Sequence, residues 1–237
     1  MQRYRFVWLF VTLLVFIALV PIVHQVRQAL HPSMPVIVEG LVFVVVLAVV
    51  VVSVSSRRSW KLFALGLALP AVVLQILRGF VHSDGFEVAR QLFAVAVLAY
   101  AVCVMFLYIF ASRQVTVNTV FASLCIYLLL GVGWAFCYSV IDILDPDAFL
   151  SSVQKGESTP VLRLGQGSNT TVLYFSFTTL TTLGYGDIVP ISPLTRMLTS
   201  LEAITGQLYL AVLVARLVGL HIAESISQKK APDREES

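Results

Sequence analysis

The chain has 237 residues, of which 58% are hydrophobic and 12% charged, and its mean hydropathy is +0.90. That balance excludes an ordinary soluble domain and marks an integral membrane protein. The net charge of +3 comes from basic residues scattered between apolar runs, so no nucleic acid partner is expected.

Residues 6–23, preceded by Arg3 and Arg5, form an apolar run that is long for a signal peptide and lacks a small-residue cleavage site, so they are read as a first transmembrane helix. A polar link with His24, Arg27, His31, Pro32 and Pro35 is expected to end it. Residues 36–54 are rich in valine, but their length fits the roughly 20 residues that cross a bilayer as a helix, and this overrides their strand propensity. After the basic turn SSRRSWK, residues 60–79 make a third span, which Gly66 and Pro70 should kink, and residues 88–111 a fourth. Residues 1–112 are thus read as a peripheral domain of four helices.

A fifth span, residues 115–141, carries Gly131, Gly133 and Ala135, small residues that let helices approach closely. Residues 142–171 are rich in Asp, Ser, Gly and Pro and read as an external turret. Asn169, Thr170 and Thr171 within it spell a glycosylation sequon but also suit a helix N-cap, which is the preferred reading. Next come an amphiphilic run too short to span a membrane, residues 171–182, and one long enough, residues 194–223. The tail, residues 224–237, is short, mixed in charge and expected to be disordered and cytoplasmic.

From the end of the first of these runs toward the second extends TTLTTLGYGDIVP, residues 178–190. A narrow axis lined by consecutive inward-facing carbonyls needs alternate residues in backbone conformations that side chains oppose and glycine allows, and Gly184 and Gly186 supply them. The carbonyls of Thr182, Leu183, Gly184 and Tyr185, with the Thr182 hydroxyl as the innermost ligand, could then replace the water shell of a potassium ion. Gly186 completes the segment and Asp187 would stand at its outer mouth.

TLGYGD resembles the TVGYG filter of the tetrameric potassium channel family, with Leu183 in the usual valine position. The resemblance covers residues 115–223 and implies an outer helix, pore helix, filter and inner helix in a pore domain of residues 113–223. The fold class it implies is an all-α integral membrane protein of six transmembrane helices, with a re-entrant pore helix and filter between helices five and six. Gly206 matches the family's hinge glycine, although close packing against the pore helix would equally retain it. Some relatives carry an acid on the pore helix near the filter aspartate, where this chain has Thr178. Tyr174 stands where many have tryptophan, which makes its hydroxyl the candidate partner of Asp187.

On the inner helix Gln207, Leu210, Val214 and Val218 fall on one stripe, read as facing the ion pathway or packing on another helix. Glu202 and Arg216 point away from that stripe; Glu202 is assigned to support behind the filter or to a place near Arg196, and Arg216 to snorkelling toward cytoplasmic headgroups. With both chain ends inside, Arg3, Arg5, Arg57, Arg58, Lys61, Arg113, Arg216, Lys229, Lys230 and Arg234 lie on the cytoplasmic side, ten of the 16 basic residues.

The resemblance implies passive potassium conduction by a homotetramer in a bacterial inner membrane, with three identical subunits, membrane lipid and K+ as partners and no cofactor beyond the permeant ion. A weakly selective cation channel, or a membrane sensor or structural protein with a vestigial pore, is the alternative. An enzyme is not expected, since no catalytic constellation appears. The three cysteines, Cys103, Cys125 and Cys137, and the four dispersed histidines form no disulfide or metal pattern. The first four helices carry no ladder of basic residues, so steep voltage gating is not expected either.

Overall fold

The computed structural model describes residues 5–29, 58–77, 81, 83–112, 116–151 and 169–230. Among them lie six helices and one pair of short strands: α1 (Arg5–Ala29), α2 (Arg58–Leu77), α3 (Asp84–Ala111), α4 (Val117–Leu144), β1 (Phe149–Ser151), α5 (Asn169–Leu180), β2 (Ile188–Pro190) and α6 (Pro193–Lys230). The second predicted span, residues 36–54, lies outside the described residues. Four described helices are long and apolar enough to cross a membrane, over Arg5–Val23, Asp84–Ala111, Val117–Leu144 and Pro193–Leu220. This supports an all-α membrane protein.

Local sequence sets the helix ends. Ser83 caps α3 by accepting the Phe86 N–H at 3.3 Å, and Asp84 and Glu87 add negative charge to its first turn. Thr116 caps α4 through the Thr119 N–H at 3.2 Å. Ser192 accepts the Thr195 N–H at 3.3 Å, with Pro193 at the first position of α6, where its missing N–H costs nothing.

Several boundaries differ from the sequence expectation. α1 does not end in the polar link but runs through Pro21 to Ala29, because an apolar helix of this length absorbs one interior proline. α2 is continuous through Gly66 and Pro70. α6 extends to Lys230, with no proline or glycine between Gly219 and Pro232 to stop it and two lysines at its negative dipole end.

α4 is the hub, packed against α1, α3, α5 and α6, while α2 packs on α3. Phe6, Leu9 and Leu13 of α1, Leu98 and Met105 of α3, and Ile126 and Leu129 of α4 share one core. Polar contacts fix the same interfaces. Buried Arg90 of α3 pairs with Glu87 of its own helix and donates to Gln75 Oε1 of α2 at 2.8 Å, and Gln91 donates to Ser139 of α4 at 2.7 Å. Arg216 does not snorkel outward. Its guanidinium donates to the Ser112 carbonyl and, beside the Ser112 N–H, to the Ile109 carbonyl at the end of α3, and lies 4.9 Å from the Phe110 ring centroid.

The strands pair antiparallel, Phe149 opposite Pro190 and Ser151 opposite Ile188. Ala148 O accepts the Ile191 N–H at 2.8 Å and the Thr195 hydroxyl at 3.2 Å. The segment leaving α4 is thereby tied to the segment leading into α6.

Glycine decides two crossings. A Cβ on Gly131 would come within 2.6 Å of the Phe177 ring, and one on Gly206 within 2.1 Å of the Leu180 carbonyl oxygen. Among the described residues nothing lies within 4 Å of a Cβ on Gly133, so of the two glycines on α4 it is Gly131 that serves close approach there. Gly206→Ala should destabilise the protein by about 3 kcal/mol or more, because the obstacle is backbone and cannot rotate aside. Gly219, with open space around it, should tolerate alanine with a gain of up to about 1 kcal/mol from helix propensity. Thermal unfolding of the two variants in detergent checks the contrast.

Candidate functional site

The segment from Thr181 to Asp187 leaves the end of α5 and runs to β2. Its backbone alternates: Thr182 has φ +57°, Gly184 +52° and Gly186 +76°. Glycine meets that demand freely at 184 and 186, but a β-branched threonine in the left-handed region costs on the order of 1–3 kcal/mol. Local bonds hold Thr182 there. Its N–H donates to Thr179 O at 2.9 Å, and Gln207 Nε2 donates to its hydroxyl oxygen at 3.1 Å.

The alternation turns successive peptide planes the same way. The N–H groups of Leu183 and Gly184 both point to Thr178 O, at 2.8 and 3.2 Å. The peptide bonds of the described residues are all trans, so each carbonyl opposes the N–H of its own plane. The carbonyls of Thr182 and Leu183 are therefore both directed away from α5. The α5 macrodipole adds partial negative charge at its end, beside Thr181 and Thr182.

Thr178 contributes through its backbone; its hydroxyl donates to Phe175 O at 2.9 Å and does not meet Asp187. Tyr174 instead donates to Asp187 Oδ2 at 2.8 Å, and Asp187 Oδ1 accepts the Ile188 N–H at 3.0 Å. That first bond, with a smaller contribution from desolvation, pushes the Tyr174 phenol from 10.0 up to about 12, so it remains a donor at neutral pH. The Tyr174 ring stacks on Tyr185, with centroids 6.4 Å apart.

On the far side of α5 sits a group that the sequence placed only loosely. Glu202 of α6 is fully buried, 0% exposed. It lies 2.6 Å from Tyr138 Oη of α4 and 2.5 Å from Ser176 Oγ of α5, whereas Arg196 donates to Pro190 O. Tyr138 packs edge-on against Phe149 and Phe175 and stacks with Trp134. Neither Tyr138 nor Ser176 was singled out from sequence; a buried tyrosine and a buried glutamate in apolar runs each call for a partner, and that demand was the available signal.

The other face is uncovered. Leu183 is 55% and Tyr185 67% exposed, and Gln207, Leu210, Val214 and Val218 of α6 are exposed beside them. The described residues contain no cluster of His, Cys, Asp and Glu suited to a metal ion.

Residues 155–221 match a protein family model described as an ion channel. Over 46 residues the chain is 50% identical to the inward rectifier potassium channel Kirbac3.1 of Paramagnetospirillum magnetotacticum, a stretch that is 19% of this chain and 16% of that protein. No solved structure matches. The two matches support a potassium channel family for the segment that contains α5, residues 181–187 and most of α6.

Proposed function

We propose, from the potassium channel likeness of residues 155–221, that the chain is one subunit of a homotetrameric, potassium-selective channel that conducts passively across a bacterial inner membrane. The observation that carries this is the pair of carbonyls, Thr182 and Leu183, turned away from α5 by an alternating backbone. Oxygens presented in this way replace water around a dehydrated cation, and Gly184, Tyr185 and Gly186 continue the same strip. The Thr182 hydroxyl is its innermost ligand. In this reading α4 is the outer helix, α5 the re-entrant pore helix and α6 the inner helix, within six transmembrane helices and with both chain ends cytoplasmic.

One chain supplies one such strip, and a ring of carbonyls needs several. Cyclic closure by four copies would cover the exposed Leu183 and Tyr185 and set Gln207, Leu210, Val214 and Val218 around the axis. Asp187 would add negative charge at the mouth and concentrate cations there.

The peripheral helices are read as a packing and lipid-facing shell. Steep voltage dependence needs about three to four charges per subunit moving through the field. Arg90 is neutralised by Glu87 on its own helix, so moving α3 would carry no net charge from this pair.

Three outcomes test the reading. Native mass measurement should give four chains, and a conducting monomer or dimer contradicts it. Gly184→Ala should abolish potassium flux into liposomes or its preference over sodium, since a side chain at φ +52° strains the backbone that presents the carbonyls; unchanged selective flux contradicts the filter assignment. Open probability recorded from strongly negative to strongly positive potentials should vary shallowly, and a steep sigmoid carrying several elementary charges would exclude the passive-shell role.

A further inference from the structure

The hydrogens around Glu202 can be counted. Ser176 Oγ lies 2.5 Å from Glu202 Oε1 and 2.8 Å from Gly131 O. A hydroxyl has one hydrogen, and a carbonyl has none to give. If Glu202 were a carboxylate, both neighbours of Ser176 would be acceptors competing for that single hydrogen, and one short contact would be oxygen against oxygen with nothing between.

We infer that Glu202 is a neutral carboxylic acid that positions the pore helix: its own proton lies on Oε1 and is donated to Ser176 Oγ, which passes its hydrogen to Gly131 O. Tyr138 donates to Oε2 at 2.6 Å. Every hydrogen then has an acceptor, and the chain of bonds joins α6, α5 and α4. Surroundings agree with the count. Among the described residues no cation lies within ion-pair distance of Glu202, and the titratable groups facing it are Tyr138, Cys137 and Tyr127, all on α4. Arg196, on its own helix, is exposed and bound to Pro190 O. A charge buried without a counter-ion would cost far more than a neutral acid there.

The consequence for function rests on the channel reading above. Ser176 lies two residues before Thr178, whose carbonyl holds the N–H groups of Leu183 and Gly184. The acid is thus a positioning residue for the filter and makes it sensitive to alkali. Raising the pH until Glu202 loses its proton leaves a buried charge and frees the Gly131 carbonyl from Ser176. The neutral form is the supporting one, so the support is present at low and neutral pH and lost upward.

Infrared spectra of the full-length protein in lipid, compared with Glu202→Gln, test this. The wild type should show the carbonyl band of a protonated carboxylic acid at neutral pH, absent from Glu202→Gln and lost from the wild type on alkalinisation. Glutamine keeps the geometry, donating through its amide to Ser176 and accepting from Tyr138. Potassium flux of Glu202→Gln should therefore stay within about twofold of wild type at neutral pH and lose the alkaline fall, whereas Glu202→Ala should lose about tenfold or fail to assemble. A neutral-pH spectrum with only carboxylate bands, or an acid band unchanged in Glu202→Gln, overturns the inference. If the wild type carries no potassium flux the channel reading fails, and the infrared comparison still decides the proton.

Discussion

One carbonyl holds two amides. Thr178 O receives the N–H groups of Leu183 and Gly184, and from that pairing follow the orientation of two peptide planes and the need for left-handed backbone at alternate positions. Ordinary strands turn successive carbonyls to opposite sides; those of Thr182 and Leu183 turn to one. The strain at Thr182, about 1–3 kcal/mol, persists because the end of α5 and Gln207 over-determine its conformation.

Such a segment is only as well placed as α5 itself, and α5 is held from three directions. The absent side chain of Gly206 lets α6 rest on the Leu180 carbonyl, while Gly131 of α4 receives the Phe177 ring. Glu202, Ser176 and Tyr138 add directional bonds at the centre, where apolar packing alone would permit the helix to slide or rotate. Beyond the segment, β1 and β2 fasten its exit to the chain leaving α4. Arg216 joins the inner helix to the end of α3, so the peripheral helices share in fixing α6.

Much of this was legible because membrane helices declare themselves by length and hydropathy. The apolar runs at 6–23, 88–111, 115–141 and 194–223 each contain the body of a helix, and Gly184 and Gly186 announced the backbone that they adopt. Boundaries were less legible, because Pro21 does not stop α1 and no terminator stands at residue 223, where α6 was expected to end. Positive φ at Thr182 could not be read, since threonine disfavours it and only the surrounding bonds impose it. Three-residue strands are too short for periodicity to reveal. The partners of Arg216 and Glu202 depend on residues 104 and 64 positions away in sequence, a relation that helical geometry along one segment does not contain.

Among the described residues Leu183 and Tyr185 are exposed, as is an apolar face of α6, and the proposed ring of copies around a column of oxygens would cover them. Its central claim is selection of potassium by backbone carbonyls. Planar-bilayer recording with potassium on one side and sodium on the other tests that directly. The account predicts a reversal potential displaced toward potassium by more than about 59 mV, the shift for a tenfold preference between monovalent ions. A reversal near zero with sustained current would contradict it.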